Sequence, residues 1–109
     1  MTKSEAAQGT LKYRLKFLPE ALDEWNALDG SVKKILRKAL KNRLEQPRTP
    51  CAQLHGELRD CYKIKLRKQG YRLIYNVEDN VLVVLVLAID KREDMAAYWS
   101  ALERLLSGK

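Results

Sequence analysis

The stretch CYKIKLRKQGYRLIYNV, which spans residues 61–77, carries the pattern that decides the fold. Apolar and basic side chains alternate over residues 61–67, and a second alternation runs over residues 71–77. Such alternation is typical of β-strands, because successive side chains point to opposite faces of a sheet. Gln69-Gly70, between the two runs, is a turn signal. The stretch therefore predicts an antiparallel hairpin.

The register of this hairpin decides which side chains share a face. With the turn at Gln69-Gly70, antiparallel pairing places Arg67 opposite Arg72, and side chains directly opposite one another lie on the same face. A slip of one residue would move Arg72 among the apolar side chains, which is costly. The pattern therefore predicts one apolar face and one basic face. The predicted basic face contains Lys63, Lys65, Arg67 and Arg72.

The sequence on either side of the hairpin supplies two more strands and three helices. Residues 11–17 alternate as a half-buried strand does, and residues 81–89 are apolar at every position, which is typical of a central strand covered on both faces. Helical spacing of apolar residues predicts helices over 20–28, 32–44 and 95–106. The predicted order is β-α-α-β-β-β-α. This is an α+β fold with a small antiparallel-rich four-stranded sheet, an N-terminal helical hairpin and a C-terminal helix.

Two details of the helices follow from the same patterns. Ser31 is predicted to cap the second helix, because Asp29-Gly30 ends the first. The apolar stripe predicted to bury the C-terminal helix consists of Met95, Tyr98, Trp99, Leu102, Leu105 and Leu106.

The composition indicates one small domain with an anionic partner. The 109 residues include 21 Lys and Arg against 14 Asp and Glu, a formal charge of +7. An excess of this size favours nucleic acid as the partner, although a solvated basic surface is the alternative. Residues 1–10 are polar and small and are predicted to form a disordered leader, which leaves residues 11–109 as the domain.

Membrane insertion and secretion are not predicted. The longest apolar run, residues 81–89, is too short to span a bilayer. Cys51 and Cys61 have neither metal-ligand spacing nor a secretory context, so we expect reduced thiols and a cytoplasmic protein.

The usual catalytic groups of nucleases are missing from the sequence. His55 is the only histidine, which rules out a histidine acid–base pair, and the acidic residues show no spacing typical of metal ligands. No metal or cofactor is therefore expected, and any RNA cleavage would depend on Lys, Arg and Tyr. The basic face of the hairpin fits a phosphate cradle, since arginine grips phosphate oxygens through a rigid fork. A solvated face that resists aggregation is the alternative.

Four motifs in order closely resemble the RelE toxins. They are PEALDEW over residues 19–25, CYKIKLR over 61–67, GYRLIY over 70–75, and KRE over 91–93 followed by Tyr98. The resemblance extends from about Leu15 to Leu106, so it covers all but the leader and the last residues.

The resemblance implies a metal-independent endoribonuclease that cuts mRNA in the ribosomal A site through attack by a 2′-hydroxyl. Lys63 and Lys65 match the lysines that activate this hydroxyl and hold the phosphate. Arg72 matches the arginine on the scissile phosphate, Arg92 matches a second arginine at the leaving oxygen, and Tyr98 matches a tyrosine on which an mRNA base stacks. From the residues alone, Arg92 fits a surface ion pair and Tyr98 fits the core.

The resemblance also implies binding partners, and two alternative functions stay open. The implied partners are a RelB-like antitoxin, in a toxin–antitoxin hetero-oligomer, and the ribosome with its mRNA. The acidic first helix, with Glu20 and Glu24, and the basic second helix are both candidate docking surfaces. The main rival is a ParE-like toxin of the same fold that inhibits DNA gyrase without cutting RNA, and a non-catalytic RNA-binding module is a third reading. His55 stands where some RelE relatives carry another basic residue, so no catalytic role is assigned to it.

Overall fold

The sheet is mixed and has four strands. The computed structural model of the chain describes residues 12–91 and 95–107, and the predicted leader lies outside them. The strands are β1 (Arg14–Phe17), β2 (Cys61–Leu66), β3 (Tyr71–Glu78) and β4 (Val83–Lys91), and their order in the sheet is β1-β4-β3-β2. β1 runs parallel to β4, and the other two pairs are antiparallel. The predicted fold class and order of elements are confirmed.

Helices cover both faces of this sheet. α1 (Pro19–Asn26) and α2 (Gly30–Arg43) pack on one face, and α3 (Ala96–Leu106) packs on the other. β4 therefore lies between two apolar layers, as its uninterrupted apolar run predicted. Within the described residues, no helix is both long and apolar enough to cross a membrane.

The two layers have separate cores. On the α2 side, Leu36 and Leu40 pack with Tyr75 and Val86, and all four side chains are almost completely buried. On the α3 side, the small residues Ala97 and Ala101 lie against the sheet. The remaining buried residues of this second core are Leu54, Leu58, Cys61, Ile74, Leu87 and Ala88.

The hairpin of β2 and β3 keeps the predicted faces but not the predicted register. Lys65, rather than Arg67, lies opposite Arg72. The chain turns through the four residues 67–70, and the turn is closed by a 2.9 Å hydrogen bond from the Gly70 amide to the Leu66 carbonyl. Gly70 has a φ of +77°, which glycine adopts without steric cost. The predicted register was wrong by two residues, and a shift of two leaves every side chain on its predicted face.

The start of α2 differs from the prediction. Asp29, not Ser31, is the N-cap, because its carboxylate accepts a 3.1 Å hydrogen bond from the Ser31 amide. Gly30 is the first residue of α2 rather than the end of the preceding helix. A carboxylate accepts such a bond more strongly than a hydroxyl and also opposes the positive end of the helix dipole.

The two terminal elements are less buried than predicted. In β1, Leu15 remains 37% exposed because the strand lies at the edge of the sheet and pairs only with β4. At the C-terminal helix, Met95 directly before α3 and Trp99 and Leu106 within it face solvent, whereas Ala97 and Ala101 are fully buried. The predicted stripe is therefore confirmed for Tyr98, Leu102 and Leu105, which pack against the second core, and wrong for the other three residues. The fully buried positions are small residues, which allow the helix backbone to approach the sheet closely.

Candidate active site

Three cationic side chains lie together on the face of the sheet that α3 partly covers. Lys63 and Lys65 project from β2, and Arg72 lies opposite Lys65 on β3. Both lysines are partly exposed, whereas Arg72 is 9% exposed. The alternation of β2 places these lysines on one face, because the alternate residues Tyr62 and Ile64 lie in the core on the other face. The site is therefore an accessible patch of positive charge with a buried arginine at its floor.

Arg72 is held by an aromatic ring and keeps free hydrogen-bonding capacity. Its guanidinium carbon lies 4.5 Å from the centre of the Tyr98 ring, in the geometry of a cation–π contact. Its Nε is buried and has no hydrogen-bond partner among the described residues. An unsatisfied buried donor costs about 1–3 kcal/mol, so such groups are retained where a ligand uses them. The oxygen of a phosphate would satisfy this donor.

An acidic residue completes the row of side chains across the sheet. Asp90 on β4 lies opposite Arg72, which itself lies opposite Lys65. The Asp90 carboxylate also accepts a 2.7 Å hydrogen bond from the Lys91 amide. No role for Asp90 follows from the sequence, because its position beside Arg72 depends on the β3–β4 register. That register includes a bulge after Ile74, and nothing in the sequence pattern indicates it.

A mainly apolar cleft opens beside the cations. It has a volume of about 340 Å³ and lies between α3 and the segment that precedes β2. The residues that shape it are Leu54, His55, Lys63, Tyr98, Trp99 and Leu102. Lys63 thus belongs to both the cation patch and the cleft wall, and Tyr98 separates the cleft from Arg72.

Two sets of partly buried hydrogen bonds hold in place the elements that carry this site. Arg43 of α2 donates hydrogen bonds to the Lys63 carbonyl (3.2 Å) and to the Tyr75 hydroxyl (2.9 Å). The Tyr75 hydroxyl in turn donates to the Pro47 carbonyl at 2.7 Å. Burial raises the pKa of Tyr75 above its ordinary value, although the nearby Arg43 guanidinium opposes this effect. Tyr75 therefore remains a neutral phenol that ties β3 to the end of the helical hairpin.

A second contact fixes α3, and with it Tyr98. Arg104 donates to both Glu24 carboxylate oxygens, at 3.0 and 2.8 Å, and to the Leu87 carbonyl at 2.7 Å. Glu24 also accepts a 2.9 Å bond from the Ile89 amide. Hydrogen bonding to the Glu24 carboxylate raises the pKa of Arg104. Glu24 is thus engaged within the fold, although its place on the acidic first helix had made it part of a candidate docking surface.

The structure brings together four of the five predicted site residues. Lys63, Lys65, Arg72 and Tyr98 adjoin one another, whereas Arg92 follows the end of β4 and lies outside the described residues. His55, which was left out of the catalytic set, lines the cleft. Over residues 12–91 and 95–107, no group of three His, Cys, Asp or Glu side chains is arranged to hold a metal ion.

Known proteins that are similar to this chain in sequence and fold include toxins. A family model described as ParE toxin of type II toxin-antitoxin system, parDE, matches residues 15–96. The mRNA interferase toxin RelE of Escherichia coli is 45% identical over 96 residues, which is 88% of this chain and 100% of that one.

Solved structures of the same relative match the fold. An arginine-to-alanine double mutant of E. coli toxin RelE in the free state matches with a TM-score of 0.80 and 43% identity, over 87% of this chain and 99% of that one. A chain of the intact E. coli RelBE toxin-antitoxin complex matches with a TM-score of 0.71 and 47% identity, over 74% of this chain and 98% of that one.

Proposed function

The chain belongs to the RelE/ParE family of toxins of type II toxin–antitoxin systems, and from this we propose that it is an mRNA interferase that cuts mRNA in the ribosomal A site. The observation that carries the proposal is Arg72, a buried cation whose Nε has no hydrogen-bond partner among the described residues, adjoining Lys63, Lys65 and Tyr98. A DNA-gyrase inhibitor needs no such group, whereas phosphoryl transfer requires charge stabilisation at the reacting phosphate.

In the proposed reaction, a ribose 2′-oxygen attacks the adjacent phosphorus, and the bond from that phosphorus to the next 5′-oxygen breaks. The products are a 2′,3′-cyclic phosphate and a 5′-hydroxyl. Lys63 and Lys65 hold the phosphate and favour loss of the 2′-proton, and Arg72 stabilises the charge that develops on the phosphate oxygens. Arg92 assists the departing 5′-oxygen, which takes up a proton. The reaction needs no metal ion, because these side chains supply the positive charge.

Tyr98 acts in the same proposal by positioning the RNA. Its ring is half-buried against Arg72 and borders the cleft, so a base that stacks at this edge brings its own phosphate to the cations. These side chains are weak acids and bases, so the rate depends on a substrate held in the reactive geometry. The ribosome supplies that geometry, which explains why we expect little cleavage of free RNA.

The proposed partners follow from the relative's complex and from the substrate. E. coli RelE is known in a complex with its antitoxin RelB, and we expect a RelB-like antitoxin to bind this chain in the same manner of assembly. Ribosomes are the site of action, which places the protein in the cytoplasm. Residues 11–109 act in this proposal as one toxin domain.

Inhibition of DNA gyrase is the second candidate, because the matching family model carries the ParE name. Two assays on one preparation separate the candidates. In a cell-free translation extract, the wild-type protein should stop protein synthesis and fragment the mRNA, whereas supercoiling by purified gyrase should proceed normally. Arg72→Ala should cut mRNA roughly 10²- to 10³-fold more slowly, the usual effect of losing one charge-stabilising donor.

The control for this comparison is Arg59→Ala, which removes an exposed arginine that lies before β2 and outside the cation patch. It should cut at nearly the wild-type rate. Normal translation together with arrested supercoiling would replace the proposal with the gyrase candidate.

A further inference from the structure

Trp99 is exposed at the edge of the cleft although it is the largest apolar side chain of α3. It shares one helix face with Met95, Tyr98 and Leu102, which all line the cleft, and 64% of its surface is exposed. A tryptophan that faces solvent contributes little to the packing of the core. Exposed aromatic surface next to a cleft is typical of a binding site. The role implied for Tyr98 does not extend to this residue.

The ring of Tyr98 does not provide the whole stacking surface of the site. The Arg72 guanidinium lies over it at 4.5 Å and covers part of it. Trp99, the next residue along α3, adds a second and larger aromatic surface to the wall of the cleft.

The cleft is continuous with the cation patch. Lys63 lines it directly, so an anionic group held by Lys63 places its neighbouring atoms at the cleft entrance. With a volume of about 340 Å³, the cleft is at the small end of ligand pockets. It suits one planar ring system rather than a helix or strand, and a planar ring attached to an anion describes a nucleotide.

We propose that this cleft is a nucleobase subsite, in which Trp99 stacks on a base of the mRNA codon next to the scissile phosphate while Tyr98 contacts another. The inference rests on the proposed function and adds a residue that determines specificity. Purines present more ring area than pyrimidines, so Trp99 favours a purine at one position of the codon. Trp99 is a substrate-positioning residue in this scheme and takes no part in proton transfer.

The test is single-turnover cleavage on ribosomes programmed with mRNAs that differ at one base of the A-site codon at a time. Trp99→Ala should cut roughly 5- to 150-fold more slowly, the range expected for losing one base-on-aromatic stack, and should lose the purine preference at one codon position. Trp99→Phe should recover most of the rate and the preference. Leu106→Ala is the matched control, because Leu106 is 63% exposed on the same helix but lies outside the cleft wall.

Each outcome decides the inference. If the wild-type protein cuts no ribosomal mRNA, the proposed function fails and the subsite fails with it. If the wild type cuts and Trp99→Ala cuts every codon at the wild-type rate, only the subsite is overturned. Normal cleavage by Trp99→Ala together with weaker antitoxin binding would identify the cleft as a protein-docking surface instead, and would equally overturn it. Equal melting temperatures of the alanine variants show that a slower rate does not reflect unfolding.

Discussion

Arg72 is buried, and its Nε finds no hydrogen-bond partner in the part of the chain that the structure describes; these two properties together make it the centre of the site. The Tyr98 ring lies against its guanidinium, and Asp90 occupies the opposite position in the neighbouring strand. A lysine at this position would keep the charge but could not present two parallel donors to a phosphate. The geometry therefore depends on arginine, and on the tyrosine that holds it.

Tyr98 provides the sharpest prediction for a single side chain, because its core and substrate roles predict different failures. Tyr98→Phe keeps the ring over Arg72 and should retain most activity. Tyr98→Ala should lose roughly 1–3 kcal/mol of substrate positioning, which is a rate decrease of about 5- to 150-fold. Its melting temperature should change little, because the ring is only half-buried. Thermal unfolding and ribosomal cleavage measured on the same samples separate the two effects.

A Tyr98→Ala protein that melts far below the wild type, yet cuts normally while folded, would assign Tyr98 to the core.

Among the elements, the hairpin shows what an alternating sequence pattern can and cannot predict. It placed Lys63, Lys65 and Arg72 on one face, because a side-chain period of two fixes faces. It did not fix the pairing, since a shift of two residues keeps every face intact. The turn decided between these registers by using residues 67–70 instead of Gln69-Gly70 alone. The residues of the candidate site were therefore predicted, but the pairs that lie directly opposite one another across the strands were not.

The C-terminal helix shows where the sequence pattern fails to predict which residues are buried. Its large apolar residues predicted the buried stripe, yet Ala97 and Ala101 are buried and Trp99 is exposed. Side-chain size indicates burial only where there is room between helix and sheet: the positions of α3 nearest the sheet are alanines, and Tyr98, Leu102 and Leu105 pack beside them only partly buried. Asp90 and Trp99 were missed for a shared reason: their positions depend on how whole elements meet.

The contact between Arg104 and Glu24 is predicted to hold α3 in place. Both side chains are mostly buried, with 18% and 26% of their surface exposed, and they also bind the Leu87 carbonyl and the Ile89 amide. Glu24→Ala leaves the arginine and the Ile89 amide without this partner, so we expect a loss of about 1–3 kcal/mol in the free energy of unfolding. Urea denaturation followed by circular dichroism measures this loss.

The matched control is Asp23→Ala, which removes the adjacent, exposed carboxylate of the same helix. Its effect on the free energy of unfolding should stay within about 0.5 kcal/mol, as is usual for surface substitutions. Equal effects of the two substitutions would show that the Arg104–Glu24 contact does not anchor α3.

Over the whole molecule, the positive charge is divided between two surfaces. The α3 side of the sheet carries the cations of the site, and the outer face of α2 carries exposed lysines that include Lys34, Lys38 and Lys41. The formal charge of +7 suits both the short contact with a scissile phosphate and the long-range attraction to ribosomal RNA. The composition alone predicted the second kind of contact, whereas the first required the register and the packing of α3.

The central claim is that the protein cuts mRNA and requires the ribosome to do so. The most direct test is primer extension on one mRNA, either free or bound to purified ribosomes with an empty A site, after addition of the wild-type protein. We predict a cut within the A-site codon on ribosomes only, with a 2′,3′-cyclic phosphate at the new end. Intact mRNA on the ribosomes, or equally efficient cutting of the free mRNA, would contradict this account.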